Sequence, residues 1–97
     1  MRVEYHHLTA SDLNKAVAYY NRRQPGLGEE VRFEIYAAIE RVLASPTQFS
    51  IVSKDIRRCL VHRFPYAVLF RIVSEDTLRV LLIRHHRRHP GFGLRRR

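Results

Sequence analysis

A chain of 97 residues that is 45% hydrophobic holds enough apolar side chains for one core and too few for two. Its 18 Lys and Arg against nine Asp and Glu give a net charge of +9, which points to an anionic partner. No apolar run approaches the ~20 residues of a membrane helix, which argues against a spanning protein, and the single cysteine, Cys59, excludes an internal disulfide.

The chain opens with Val3 and Tyr5 alternating with Glu4 and His6, the period of a short strand. This mixture has no signal-peptide character, and with the lone thiol it leads us to expect a cytoplasmic protein. Thr9 is placed to cap a helix, with Asp12 three residues on as its reciprocal partner. Leu13, Ala16, Val17 and Tyr20 then recur at helical spacing up to the turn pair Pro25-Gly26. A second helix is expected from Gly28 to Ser45. Glu29 and Glu30 suit its positive end, Pro46 stops it, and Leu27, Val31, Ile35, Ala38, Ile39 and Val42 form its apolar face.

Residues 46–55 read as a loop anchored by Phe49, Ile51 and Val52. Three strands follow, Arg57–Phe64, Tyr66–Val73 and Leu78–Arg84, at spacings that favour antiparallel hairpins. Tyr66, Val68, Phe70 and Ile72 share the face expected to meet the helices, and Ala67, Leu69 and Arg71 the other. Cys59 lies in an apolar run and reads as a buried, inert thiol. The close, HHRRHPGFGLRRR, carries Pro90, Gly91 and Gly93 and reads as a basic, flexible tail over 85–97. The sum is a single α+β domain spanning 1–97, in the order β-α-α-β-β-β. A helical hairpin covers one face of a mostly antiparallel four-stranded sheet.

Charge is not spread evenly. The first 56 residues balance seven basic against seven acidic side chains, whereas from Arg57 onward eleven arginines face only Glu75 and Asp76. The target should therefore be met on this segment, with Arg84, Arg87, Arg88 and His89 as first candidates and Arg57, Arg63 and Arg71 extending the patch. Arg58 and Arg79 suit binding or the protection of a sheet edge equally well. The adjacent arginines around His85, His86 and His89, with no carboxylate or cysteine beside them, argue against a metal site, and no cofactor is expected.

The helix DLNKAVAYYNRR, the turn and helix PGLGEEVRFEIYAAIERV, the strand pair IRRCLVHRFPYAVLFRI and the close LIRHHRRHP together span nearly the whole chain. In these pieces, and above all in Arg63-Phe64-Pro65-Tyr66-Ala67-Val68 followed by the element His85–Pro90, the sequence resembles the RelE/ParE superfamily of bacterial type II toxins. The resemblance implies a toxin held inactive by a co-encoded antitoxin, for which the first helices offer a docking site. It also implies one of two targets: DNA gyrase, inhibited without nuclease chemistry, or mRNA on the ribosome, which is cleaved. A cleaving member implies an arginine where this chain has Ala67, and often a terminal tyrosine, yet no tyrosine follows Tyr66. The ParE-like, gyrase-directed reading is therefore the one expected. Cleavage by His85 and His86 with Arg84 and Arg87 is the alternative, and a non-toxic basic nucleic-acid-binding domain is the third reading.

Overall fold

A computed structural model describes all of residues 1–97. Its elements are β1 (Arg2–Tyr5), α1 (Thr9–Arg23), α2 (Leu27–Ala44), a 3-10 turn at Pro46–Gln48, β2 (Ile51–Ser53), β3 (Ile56–Leu60), β4 (Tyr66–Ser74) and β5 (Thr77–His85). The strands form one sheet in the order β1-β5-β4-β3-β2, with β1 parallel to β5 and the other pairs antiparallel. The α+β architecture is as expected, but the sheet has five strands rather than four. The extra strand lies in the segment expected to be a loop, where Ile51 and Ser53 pair with Arg57 and Ile56 across an irregular register. Phe49 is the anchor expected there, its ring 6.0 Å edge-on from Phe70.

The two helices approach closely because Gly28 has no side chain. A Cβ there would sit 2.3 Å from the Val17 carbonyl oxygen, while the Gly28 amide donates to Asn21 Oδ1 at 2.8 Å. The hairpin buries Ala16, Val31, Ile35, Ala38, Ile39 and Val42 against Cys59, Tyr66, Val68, Phe70, Leu78, Val80 and Ile83. Burial pushes the Cys59 thiol above its ordinary pKa, against the opposing pull of Arg41, so the thiol stays protonated at neutral pH.

The expected cap at the start of α1 is replaced by a different arrangement. Leu8 holds the N-cap position, and Thr9, the first helical residue, is buried with its hydroxyl against the carbonyl oxygens of Val80 and Leu81. Asp12 turns the same way and accepts from the Ile83 amide at 3.1 Å. The reason lies in the sheet: β1 pairs with β5 only as far as Val80, so the rest of β5 has a free edge that α1 satisfies with side chains. Likewise β3 stops at Leu60 rather than Phe64. Arg63 takes a left-handed φ of 69° that no strand can continue, held where its guanidinium pairs with Glu30 and Glu34.

The second face of the sheet is not an open arginine face throughout. Ile56, Ala67, Leu69, Leu81 and Leu82 form a smaller apolar cluster on it, covered by Leu94 from the C-terminal segment. Gly93 passes so close to Leu82 that a Cβ would fall 2.4 Å from its Cδ1, and its φ of +78° suits glycine. Arg96 then pairs with Asp12, and Arg97 with Asp55. In the structure the segment read as a flexible tail thus lies across the sheet as a strap.

Candidate anion-binding site at the end of the sheet

Most arginines of this chain are engaged internally. Arg57 donates to the Thr47 and Phe49 carbonyls, Arg79 pairs with Glu4 at 2.6 Å, and Arg71 meets Asp55 at 3.2 Å. Arg71 and Arg79 also donate to the main-chain oxygen of Arg97. At the end of the sheet the pattern changes. Arg58, Arg84, His86 and Arg88 stand around Leu60, Ala67 and Pro90 in an open cleft of about 320 Å³ that no carboxylate enters. Arg84 reaches only the Pro90 carbonyl, at 2.6 Å, and Arg88 lies over the Phe92 ring, 4.7 Å from its centroid. Burial, and then the charge of Arg58, push the Arg84 guanidinium below its ordinary pKa.

A β-bulge creates this cleft. Leu69 pairs with Leu82 but Phe70 pairs with Val80, so Leu81 is extra on β5 and the alternation changes phase there. Leu78 and Val80 face the helices before the bulge, and Ile83 does so after it. Arg84 and His86 are thereby delivered to the opposite face, beside Arg58 on β3 and with Ala67 between them on β4. Without the extra residue, strict alternation would turn Arg84 toward the helices.

Arg84 and Arg88 also line a second groove of about 620 Å³, which continues past Arg87 and His85 to Lys15, Tyr19 and Arg22 on α1. Its one acidic side chain, Asp12, is held by Arg96. Lys15 and Arg22 were not singled out from the sequence. The signal available was their place on the polar face of α1, which says nothing of the strand end beside it.

The histidines divide between these grooves. His86 lines the first, while His85 lines the second, its Nδ1 accepting from the Arg87 amide and its ring edge-on to Tyr66 at 5.0 Å. Burial, then Arg87, His86 and Arg88, push the His85 pKa down, so the ring is neutral at pH 7. His89 bends back to accept from the Gly91 amide. No three His, Cys, Asp or Glu side chains converge as metal ligands.

Of the residues singled out from the sequence, the structure gathers Arg58, Arg84, Arg87 and Arg88 along the two grooves. It places Arg57 among main-chain carbonyls on the helix side, Arg63 against α2, and Arg71 under the strap. A third cavity, of about 420 Å³, lies away from these cations. Tyr5, His6, Leu13, Ile35, Tyr36 and Ile39 line it between the end of β1 and the helices. No helix is long and apolar enough to cross a membrane.

The family described as the ParE toxin of type II toxin–antitoxin system, parDE, matches residues 3–90. No curated protein matches the chain. Among solved structures, one from the chromosomal ParDE TA system of P. aeruginosa is similar, with a TM-score of 0.77. It is 17% identical, over 88% of this chain and 95% of that one. At that identity the likeness speaks for the fold alone, whereas the family match spans nearly the whole sequence. The chain belongs to the ParE toxin family of type II toxin–antitoxin systems.

Proposed function

We propose that this protein is a cytoplasmic, growth-inhibiting toxin that acts by binding DNA gyrase through the cleft formed by Arg58, Arg84 and Arg88, and that a cognate antitoxin neutralises it. The observation that carries the reading is a cleft rich in cations whose floor is Ala67. Metal-free cleavage of RNA requires a base for the 2′-hydroxyl and an acid for the leaving oxygen, poised on one scissile phosphate. Here His85 and His86 face different grooves, and the first groove offers His86 as its single imidazole. That set suits holding an anionic target better than cutting one.

The antitoxin reading has a separate basis. Tyr5 and Tyr36 are half exposed beside the third cavity, and Phe33 on α2 is 70% exposed. An apolar surface of this kind suits an amphipathic partner segment.

The test is supercoiling by purified gyrase in the presence of the toxin, run beside a translating extract. Inhibited supercoiling or trapped, cleaved plasmid, with intact mRNA, supports the reading. Cut mRNA that is spared in His86→Ala, with gyrase unaffected, replaces it by the endonuclease. Neither effect, with growth unharmed by expression, leaves only a basic nucleic-acid-binding domain.

A further inference from the structure

We infer that the ligand of the basic cleft is the phosphodiester backbone of duplex DNA, so that the toxin engages the DNA on which gyrase acts rather than an acidic patch of the enzyme. This rests on the cleft being the target-binding site.

The cations of the cleft lack counter-ions. The fold supplies Glu4 to Arg79, Glu30 to Arg63, Asp12 to Arg96 and Asp55 to Arg71 and Arg97. It supplies no carboxylate to Arg58, Arg84, Arg87 or Arg88, although the bulge at Leu81 brings Arg84 to the same cleft as Arg58. Cations assembled in this way are completed by an anion from outside.

The cations also extend beyond the reach of a single phosphate. Because Arg84 and Arg88 belong to both grooves, the cations run continuously from Arg58 on β3, round the end of β5, to Arg22 and Lys15 on α1. A single phosphate needs one such cluster, whereas an arc matches a ligand with repeated charge. Guanidinium forks fit phosphate oxygens in pairs, and the arc is mostly arginine.

The surroundings of the cations favour a duplex over a single strand or a protein. Single-stranded nucleic acid is held by ring faces on which bases stack. Here Arg23 covers the Tyr19 ring, Arg88 covers Phe92, and Tyr66 is buried with His85 edge-on to it. A protein partner would be expected to find apolar anchors at the centre of the site. The first groove offers Leu60 as its one large apolar side chain, and in the second, where Arg23 covers Tyr19 and Arg88 covers Phe92, Leu8 is the exposed one.

The experiment is the anisotropy of a short labelled DNA duplex titrated with the whole protein across a salt series, beside the single strand. Wild type is expected to prefer the duplex, with log Kobs falling linearly in log[salt]. Arg58→Ala and Arg88→Ala should each weaken binding by about tenfold and make the slope shallower by about 0.9, one phosphate contact apiece. Neither side chain makes a hydrogen bond or ion pair within the protein, so Arg58→Ala should melt like wild type and Arg88→Ala should lose only its contact with the Phe92 ring. Lys54→Asn removes the same charge at the other end of β3, where φ is 52° and asparagine is tolerated, and should leave the slope unchanged. Preference for the single strand, or salt slopes indifferent to Arg58 and Arg88, overturns the inference. Loss of gyrase inhibition in these variants with no duplex binding in wild type also overturns it, but leaves the gyrase reading standing with an acidic protein patch as the ligand. Duplex binding with the predicted slopes but no effect on gyrase keeps the DNA site and removes the gyrase reading.

Discussion

Asp12, in the first turn of α1, and Arg96, in the C-terminal strap, form an ion pair at 2.7 Å with each side chain only 13% exposed. Asp12 also accepts from the Ile83 amide, and Arg96 donates to the Leu81 carbonyl. One carboxylate therefore seals the free edge of β5 and fastens the strap across it. Removing one partner of a pair this enclosed leaves the other charge under-solvated. Arg96→Ala should cost about 2 kcal/mol in urea unfolding and expose the strap to protease. Asp12→Ala should cost about 3 kcal/mol, because the Ile83 amide is orphaned as well.

At the far end of the strap, hydrogen bonds from Arg97 and Arg71 lower the Asp55 pKa to about 2. The folded value lies below the unfolded carboxyl near ~3.9, so the stabilisation is complete above that pH and is lost as pH falls towards 2. Asp55 is nearly half exposed, so screening limits its worth to about 1 kcal/mol. A urea midpoint series from pH 5 to pH 2 should show the loss, and Asp55→Asn should flatten the curve over that window.

Gly28 is where α1 and α2 touch backbone to side chain, and an added methyl would meet the Val17 carbonyl at 2.3 Å. Gly28→Ala should lower stability by about 3 kcal/mol in spite of alanine's better helix propensity. Thermal melting measures it, with Gly26→Asn as the control. Gly26 has a left-handed φ of 91° and nothing within 4 Å, so asparagine there should cost less than about 1 kcal/mol.

Ala67 pairs with Arg84 on one side and Leu60 on the other, so a carboxylate at this position would serve the cleft as an internal counter-ion. Because Ala67 is buried in the apolar cluster of that face, Ala67→Asp should lower the urea midpoint as well as weakening target binding by about tenfold or more in the protein that remains folded by circular dichroism. The conservative Ala67→Ser should keep the binding.

The sequence was most readable where one face of an element is buried and the other is wet. The helical hairpin, β4 with its row Tyr66, Val68 and Phe70, and the hairpin to β5 follow from period alone. β2 was lost because three residues at a sheet edge carry too little pattern. The run Val80-Leu81-Leu82-Ile83 has no alternation to read, since the helices cover one face, Leu94 covers the other, and a bulge lies within it. That same bulge decides where Arg84 and His86 point. The richness of arginine at the end of the chain was legible, but its division was not. Whether an arginine is free or paired depends on Glu4, Asp12, Glu30 and Asp55, which are distant from their partners in sequence.

Gyrase supercoiling titrated with wild-type toxin and with the double variant Arg84→Glu/Arg88→Glu, which reverses charge in both grooves, decides whether the cleft holds the target. Wild type should inhibit, and the variant, folded by circular dichroism, should fail to inhibit even at about a hundredfold higher concentration, a deficit of about 2.7 kcal/mol. Equal inhibition by the two proteins would contradict this, since the cleft would then have no part in holding the target.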